Sequence, residues 1–283
     1  MFDASIPAPP IQYFDLGPVR IHLYALSILT GIVLATFITN SRLKKRGAEN
    51  WVVLDIILWA VPLGIIGARV YHVLTHPNDY FYPGADLLRT LYIWEGGNAI
   101  FGALLGGALG AWIGCRQTGI RFWAFADALA PALLVAQAAG RLGNYFNQEL
   151  FGTPTDLPWG LEIASTNPAF PAGLPEGTLF HPMFLYEMIW NLLGAAVIIL
   201  LERKYDLQWG KAFGVYLIWY GLGRSFFESF RLDSSEIILG LRTNVWAALF
   251  AIIIGLVIIV VQQRRHTGTE LSVYSKPQTV INS

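Results

Sequence analysis

Seven stretches of this chain are too long and too apolar to suit water. They cover residues 21–41, 51–74, 93–115, 122–139, 183–201, 212–230 and 244–262. About 20 helical residues cross the hydrocarbon core of a bilayer, so each run has the length of a transmembrane span. The last is the plainest, since Val245 to Val261 carries no charge. The fourth is the weakest, interrupted by Asp127, Pro131 and Gln137. None alternates apolar with polar, which favours helices over barrel strands. Composition agrees: 13% of residues are charged, where an ordinary soluble domain carries about 25%. The expected fold is therefore all-α, a polytopic membrane protein of about seven transmembrane helices. A net charge of zero argues against a nucleic-acid binder, and the single cysteine, Cys115, excludes an internal disulfide.

Basic residues give the expected orientation. Loop 42–50 holds Arg42, Lys44, Lys45 and Arg46; loop 116–121 holds Arg116 and Arg121; loop 202–211 holds Arg203, Lys204 and Lys211. With the tail residues Arg264, Arg265 and Lys276, these fall on one side if there are seven spans. That side is expected to be the cytoplasm. Residues 1–20, with four prolines and no basic leader, read as a retained extracytoplasmic arm. Residues 21–262 form the membrane domain. Within it, the proline-rich stretch 140–182 is expected to be a non-helical extracytoplasmic head anchored by Trp159, Leu161, Phe170 and Phe180. Residues 263–283 are expected to be a disordered cytoplasmic tail.

Two patterns lie inside the spans. Gly102, Gly106, Gly110 and Gly114 recur every fourth residue, a stripe that lets a neighbouring helix approach closely. Cys115 beside it reads as a small packing residue. The second pattern is charge. Arg69 lies toward the outer end of the second span, and Arg141 and Asn144 share a face where the fourth leaves the membrane. Arg224, Glu228 and Arg231 share one face of the sixth. Charges at such depth are costly and usually functional. Glu149, Glu187 and Glu228 can neutralise some of the arginines, and the surplus points to an anionic ligand. The planar, always-charged guanidinium fork suits phosphate. Salt bridges alone, or an anion transporter, would also place arginines here. The cluster faces one side only, however, and no internal repeat supports alternating access.

The stretch Gly140-Arg141-Leu142-Gly143-Asn144-Tyr145-Phe146-Asn147-Gln148-Glu149-Leu150-Phe151-Gly152 resembles the signature of the prolipoprotein diacylglyceryl transferases of bacterial inner membranes. Ile21-His22-Leu23-Tyr24, Gly67-Ala68-Arg69, Trp94-Glu95-Gly96-Gly97, His181-Pro182, Leu185-Tyr186-Glu187 and the segment from Gly221 to Arg231 extend the resemblance over residues 10–262.

That resemblance implies transfer of the diacylglyceryl group of phosphatidylglycerol to the lipobox cysteine of a prolipoprotein signal peptide. A thioether forms, glycerol-1-phosphate leaves, and neither metal nor other cofactor is implied. Matched to the family motifs, Arg141 and Arg224 are the expected headgroup and leaving-group stabilisers. Asn144 and Tyr24 complete the pocket, Glu149 and Gly152 shape its loop, Glu228 and Arg231 orient Arg224, and Arg69 adds a headgroup contact. Many family members carry a histidine, a candidate general base, after the Trp-x-Gly-Gly element; here that place is Phe101. His22 and Glu228 are the replacements to test. His72, His76 and His181 read as structural.

Overall fold

A computed structural model describes residues 5–97, 99–232 and 237–275. Among them are seven α-helices: α1 (Leu23–Lys45), α2 (Val52–Thr75), α3 (Ile100–Thr118), α4 (Phe122–Asn147), α5 (Met183–Lys204), α6 (Lys211–Glu228) and α7 (Thr243–Arg265). Three two-stranded antiparallel ribbons accompany them: β1 (Tyr13–Leu16) with β2 (Val19–His22), β3 (Leu161–Glu162) with β4 (Leu179–Phe180), and β5 (Ile237–Ile238) with β6 (Leu241–Arg242). Helices α1, α2, α4, α5 and α7 are long and apolar enough to cross a membrane. Helix α6 carries Lys211, Arg224 and Glu228, and α3 is short, glycine-rich and ends in Arg116 and Gln117.

The chain divides into two compact units, one of residues 1–38 and 126–269, the other of residues 39–125 and 270–283. In the second unit, α2 and α3 pack backbone to backbone. A Cβ on Gly114 would come within 2.7 Å of Ile56 Cα, and one on Gly102 or Gly106 would collide with the carbonyls of Gly67 or Leu63. The glycine stripe is thus a packing seam, and Cys115, buried beside it, is a packing residue. The expected third span begins at residue 93, but α3 begins at Ile100. Residues 93–95 form a 3-10 turn, and Gly96 and Gly97 then take positive φ of 85° and 68°, which ends any helix. Residues 270–275 correct the expected disorder of the tail. The Arg121 amide donates to Val273 O at 2.8 Å, that of Ser275 to Gly119 O at 2.8 Å, and Val273 is buried. Residues 276–283 lie outside the described residues.

In the first unit, Ala130 and Leu134 of α4, Ala195 and Ile198 of α5, and Ala212 and Tyr216 of α6 form one core cluster. Close approach recurs between α6 and α7, where a Cβ on Gly255 would stand 2.6 Å from Gly214 O. Fully buried Asp127 stops the turn before α6 from leaving bare donors. Its carboxylate accepts from the amides of Gly210 at 2.7 Å and Phe213 at 3.0 Å, the role of an N-cap played from another helix. The charge that made the fourth run look weak therefore starts the sixth helix.

Helix α4 also overruns its expected end. It continues to Asn147, so the first eight residues of the 140–152 signature are helical rather than part of a non-helical stretch. Pro131 lies inside it without ending it: proline within a membrane helix is tolerated where surrounding groups satisfy the freed carbonyl. Residues 148–182 are largely irregular, and their Phe151, Leu161, Ile163 and Phe180 form a second core cluster with Phe184 of α5, joined by Ile6 and Phe170. Trp159 is more exposed and donates its indole N–H to the Tyr186 hydroxyl at 2.9 Å. The arm before α1 is partly a hairpin, closed by Gly17-Pro18 with Gly17 at a φ of 61°.

Candidate active site

Three helices of the first unit bring the site together. Arg141 stands near the C-terminal end of α4, Glu187 in the second turn of α5, and Arg224 one turn from the end of α6. Alternating helix direction puts these three ends on one level, and all three side chains line a single cavity of about 180 Å³. Trp190, Phe227 and Gly223 form its apolar wall; Gln137, Asn191 and Tyr220 add polar groups.

Each arginine is held from behind. Arg141 Nη2 is ion-paired with Glu187 Oε2, and its Nη1 donates to Asn144 Oδ1 at 3.1 Å. Asn144 in turn donates to Glu149 Oε1 at 2.9 Å, and Asn147 donates to the same oxygen at 3.4 Å. Asn144 and Glu149 thus orient Arg141 through a relay within the signature. Arg224 Nη2 lies 3.2 Å from Glu228 Oε2. The other carboxylate oxygen of Glu228 receives Arg242 Nη1 at 3.2 Å and Asn244 Nδ2 at 3.0 Å. With a side chain only 1% exposed, Glu228 is a buried anchor among cationic and amide donors. A guanidinium has five N–H donors, so both arginines keep donors for an anion in the cavity.

The signature glycines have geometric reasons. A Cβ on Gly143 would sit 2.6 Å from the Tyr24 ring, so this glycine seats Tyr24 on α4. A Cβ on Gly152 would sit 2.8 Å from His181 Cβ and 3.1 Å from Met183 Sδ. There the chain threads between two segments. The Gly152 amide donates to His181 O at 3.0 Å, and Gly152 also forms an antiparallel bridge with Arg231. Arg231 therefore meets the signature through its backbone. Nothing stands within 4 Å of a Cβ on Gly140, so no contact explains that glycine.

Other candidates are not among the residues that line this cavity. His22 ends β2, is exposed, and has its ring 5.6 Å from that of Tyr13. Arg69 belongs to the second unit, where its guanidinium is ringed by backbone carbonyls: Thr90 O at 2.8 Å, Gly96 O at 2.7 Å, Gly97 O at 3.1 Å, and Arg89 O. It fixes the 89–97 loop. Within that loop, Glu95 accepts from Arg89 Nε at 3.2 Å and holds that guanidinium above its ordinary pKa. Phe101, also in the second unit, packs toward Tyr71 with ring centroids 6.1 Å apart. His72 and His76 stack on each other at 4.4 Å, and His181 reaches the Tyr186 hydroxyl at 3.4 Å.

Trp190, Asn191 and Tyr220 had no place among the sequence expectations, and Gln137 figured there only as an interruption of the fourth run. Gln137 lies one turn before Arg141, Asn191 one turn after Glu187, and Tyr220 one turn before Arg224. That spacing was the available signal.

Comparison with known proteins accords with this geometry. A family model described as prolipoprotein diacylglyceryl transferase matches residues 11–261. A phosphatidylglycerol–prolipoprotein diacylglyceryl transferase of Leifsonia xyli subsp. xyli is 63% identical over 282 residues, covering 96% of this chain and 84% of that protein. The protein of the same name from Bifidobacterium adolescentis is 48% identical, covering 95% and 83%. One numbered 2 from Streptomyces coelicolor is 44% identical, covering 94% and 84%. With its apolar helices and a match over nearly its whole length, this multi-pass membrane protein belongs to the prolipoprotein diacylglyceryl transferase family.

Proposed function

We propose that this chain transfers the diacylglyceryl group of phosphatidylglycerol to the lipobox cysteine of a prolipoprotein, at the cavity that Arg141 and Arg224 line together. That shared cavity is the observation that carries the reading. Arg141 and Arg224 take the lipid phosphate, each aimed by its own carboxylate, Glu187 or Glu228. The substrate thiolate attacks the glyceryl carbon that bears the phosphate ester. The C–S bond forms as the C–O bond breaks, and its electron pair leaves on the phosphate oxygen of glycerol-1-phosphate. The thiol proton passes to that phosphate or to water. Donors preorganised around the phosphate stabilise the charge that grows on it, and a cationic surround favours the thiolate. Both oxygens of Glu228 are engaged by Arg224, Arg242 and Asn244, which suits an orienting carboxylate better than a base. Tyr24, Asn144, Glu149, Gly152 and Arg231 support the arginines from the signature and its neighbours.

All seven helices cross the bilayer in this reading. The N-terminus and residues 148–182 lie outside, and the basic loops and C-terminus face the cytoplasm of a bacterial plasma membrane. Purified protein, phosphatidylglycerol labelled in its acyl chains and a lipobox peptide test the reaction. Label is expected on the peptide cysteine and absent from a Cys-to-Ser peptide; folded protein that labels neither refutes the reading. Arg141→Lys, which keeps the charge and loses the paired fork, is expected to cost at least tenfold in kcat/KM.

A further inference from the structure

The cavity has two polar levels. At the first stand Arg141, Glu187 and Arg224; at the second stand Gln137, Asn191 and Tyr220. Every member of the second level lies four residues from its partner, toward the middle of α4, α5 and α6 respectively. Four helical residues rise about 6 Å. The second level is therefore one turn deeper in the apolar body, and it carries no charge.

One of its groups awaits a partner. Asn191 is 7% exposed and lines the cavity, yet its side chain makes no hydrogen bond among the described residues. Gln137 differs: its amide N–H donates to the Tyr216 hydroxyl at 2.9 Å, and its oxygen, an acceptor, is buried without a donor and has nothing to offer a carbonyl. Amide groups at such depth are nearly always satisfied, because an unmade bond there costs about 1–3 kcal/mol. An amide such as Asn191, lining a cavity with its donors unspent, points to a ligand that brings its own acceptors to that depth.

We infer that this neutral level, with Asn191 at its centre, hydrogen-bonds the ester carbonyls of the diacylglyceryl group while the arginines hold its phosphate. The inference rests on the transfer reaction proposed above and adds a subsite to it. A diacylglycerophospholipid carries its acyl esters on the other two glycerol carbons, the nearer one adjacent to the phosphate-bearing carbon, so their carbonyls lie a few ångströms nearer the acyl chains. Charged groups above neutral amides reproduce that order. The reacting carbon lies between the two levels and is pinned from both sides, as attack along one line requires. An amide that donates to carbonyl oxygen also sets a specificity, since a lipid with ether-linked chains offers no carbonyl.

The test compares phosphatidylglycerol in its diester form with the dialkyl ether form of matched chain length, using the full-length protein in lipid nanodiscs. Wild type is expected to favour the diester about tenfold in kcat/KM, the order of one buried hydrogen bond. Asn191→Leu is expected to bring that ratio to about one. Arg141→Lys is expected to weaken both lipids alike and keep the ratio. Thermal stabilisation by each lipid reads the same preference without turnover. Equal handling of the two lipids by wild type in both measurements overturns the subsite, as does an Asn191→Leu protein that keeps the preference. Transfer from neither lipid, with the binding preference intact, would instead count against the transfer reaction and leave the subsite standing.

Discussion

Glu228→Gln separates two roles that a buried carboxylate beside a substrate arginine could fill. The change is nearly isosteric and removes one charge. One amide position can still accept from Asn244 and Arg242, which now stand 3.0 and 3.2 Å from Oε1. The other presents N–H groups to Arg224 Nη2, where an oxygen stood at 3.2 Å, so donor meets donor. Removing one partner of a buried ion pair costs about 3–5 kcal/mol. Retention of the Asn244 bond and the partial exposure of Arg224 reduce this, and about 2–3 kcal/mol is expected at the site. If that loss falls on Arg224 and so on phosphate binding, kcat/KM drops by roughly thirty- to a hundred-and-fifty-fold. The assay is initial transfer rate against phosphatidylglycerol concentration from pH 5.5 to 9. An orienting carboxylate predicts a fall at every pH, weaker lipid binding and a rate–pH curve of unchanged shape. A general base predicts something else: kcat collapses, lipid affinity holds, and the acid-side limb due to its protonation disappears. That second pattern would refute the assignment of Glu228 to positioning.

Further consequences can be checked with single substitutions. Gly152→Ala puts a methyl 2.8 Å from His181 Cβ and should cost about 1–3 kcal/mol and most of the activity, read by thermal unfolding and transfer rate. Asp127→Ala strips the amides of Gly210 and Phe213, at the start of α6, of their acceptor and should lower stability by about 2 kcal/mol, read by denaturation in detergent. His22→Ala should leave the shape of the rate–pH profile intact, since His22 is exposed beside Tyr13; loss of an acid limb would make it the base. Gly102→Leu should prevent α2 and α3 from meeting and abolish accumulation of folded protein, measured by membrane yield.

The helices were legible because hydropathy reads length and burial together, and the glycine stripe because small residues at spacing four have few other uses. Helix ends were less so. The end of α4 was misplaced because the polar residues of the signature resemble a loop in composition, although Arg141 and Asn144 already carried helical spacing. Asp127 looked like an interruption because its partners, Gly210 and Phe213, lie more than eighty residues away. At the site, charge drew attention to Arg141, Arg224 and Glu228, and the cavity joins the two arginines. The same cue drew attention to Arg69, which donates to loop carbonyls that only a folded chain brings near. Asn191 passed unnoticed because a neutral amide in an apolar run gives little signal until its neighbours are known.

The wall between α5 and α6 bears on how a lipid can arrive. Trp190 and Trp219 stack with centroids 4.4 Å apart, and each indole N–H donates to the other residue's carbonyl, at 3.3 and 3.1 Å. Gly194 and Gly223 leave the room the two rings occupy. Parting these helices would break both hydrogen bonds and the stack at once, a cost of about 2–4 kcal/mol before any apolar surface is exposed. This seam behaves as the hinge side of a door, fixed so that Glu187 and Arg224 keep their spacing, and a phospholipid gliding in from the bilayer must push open some other edge.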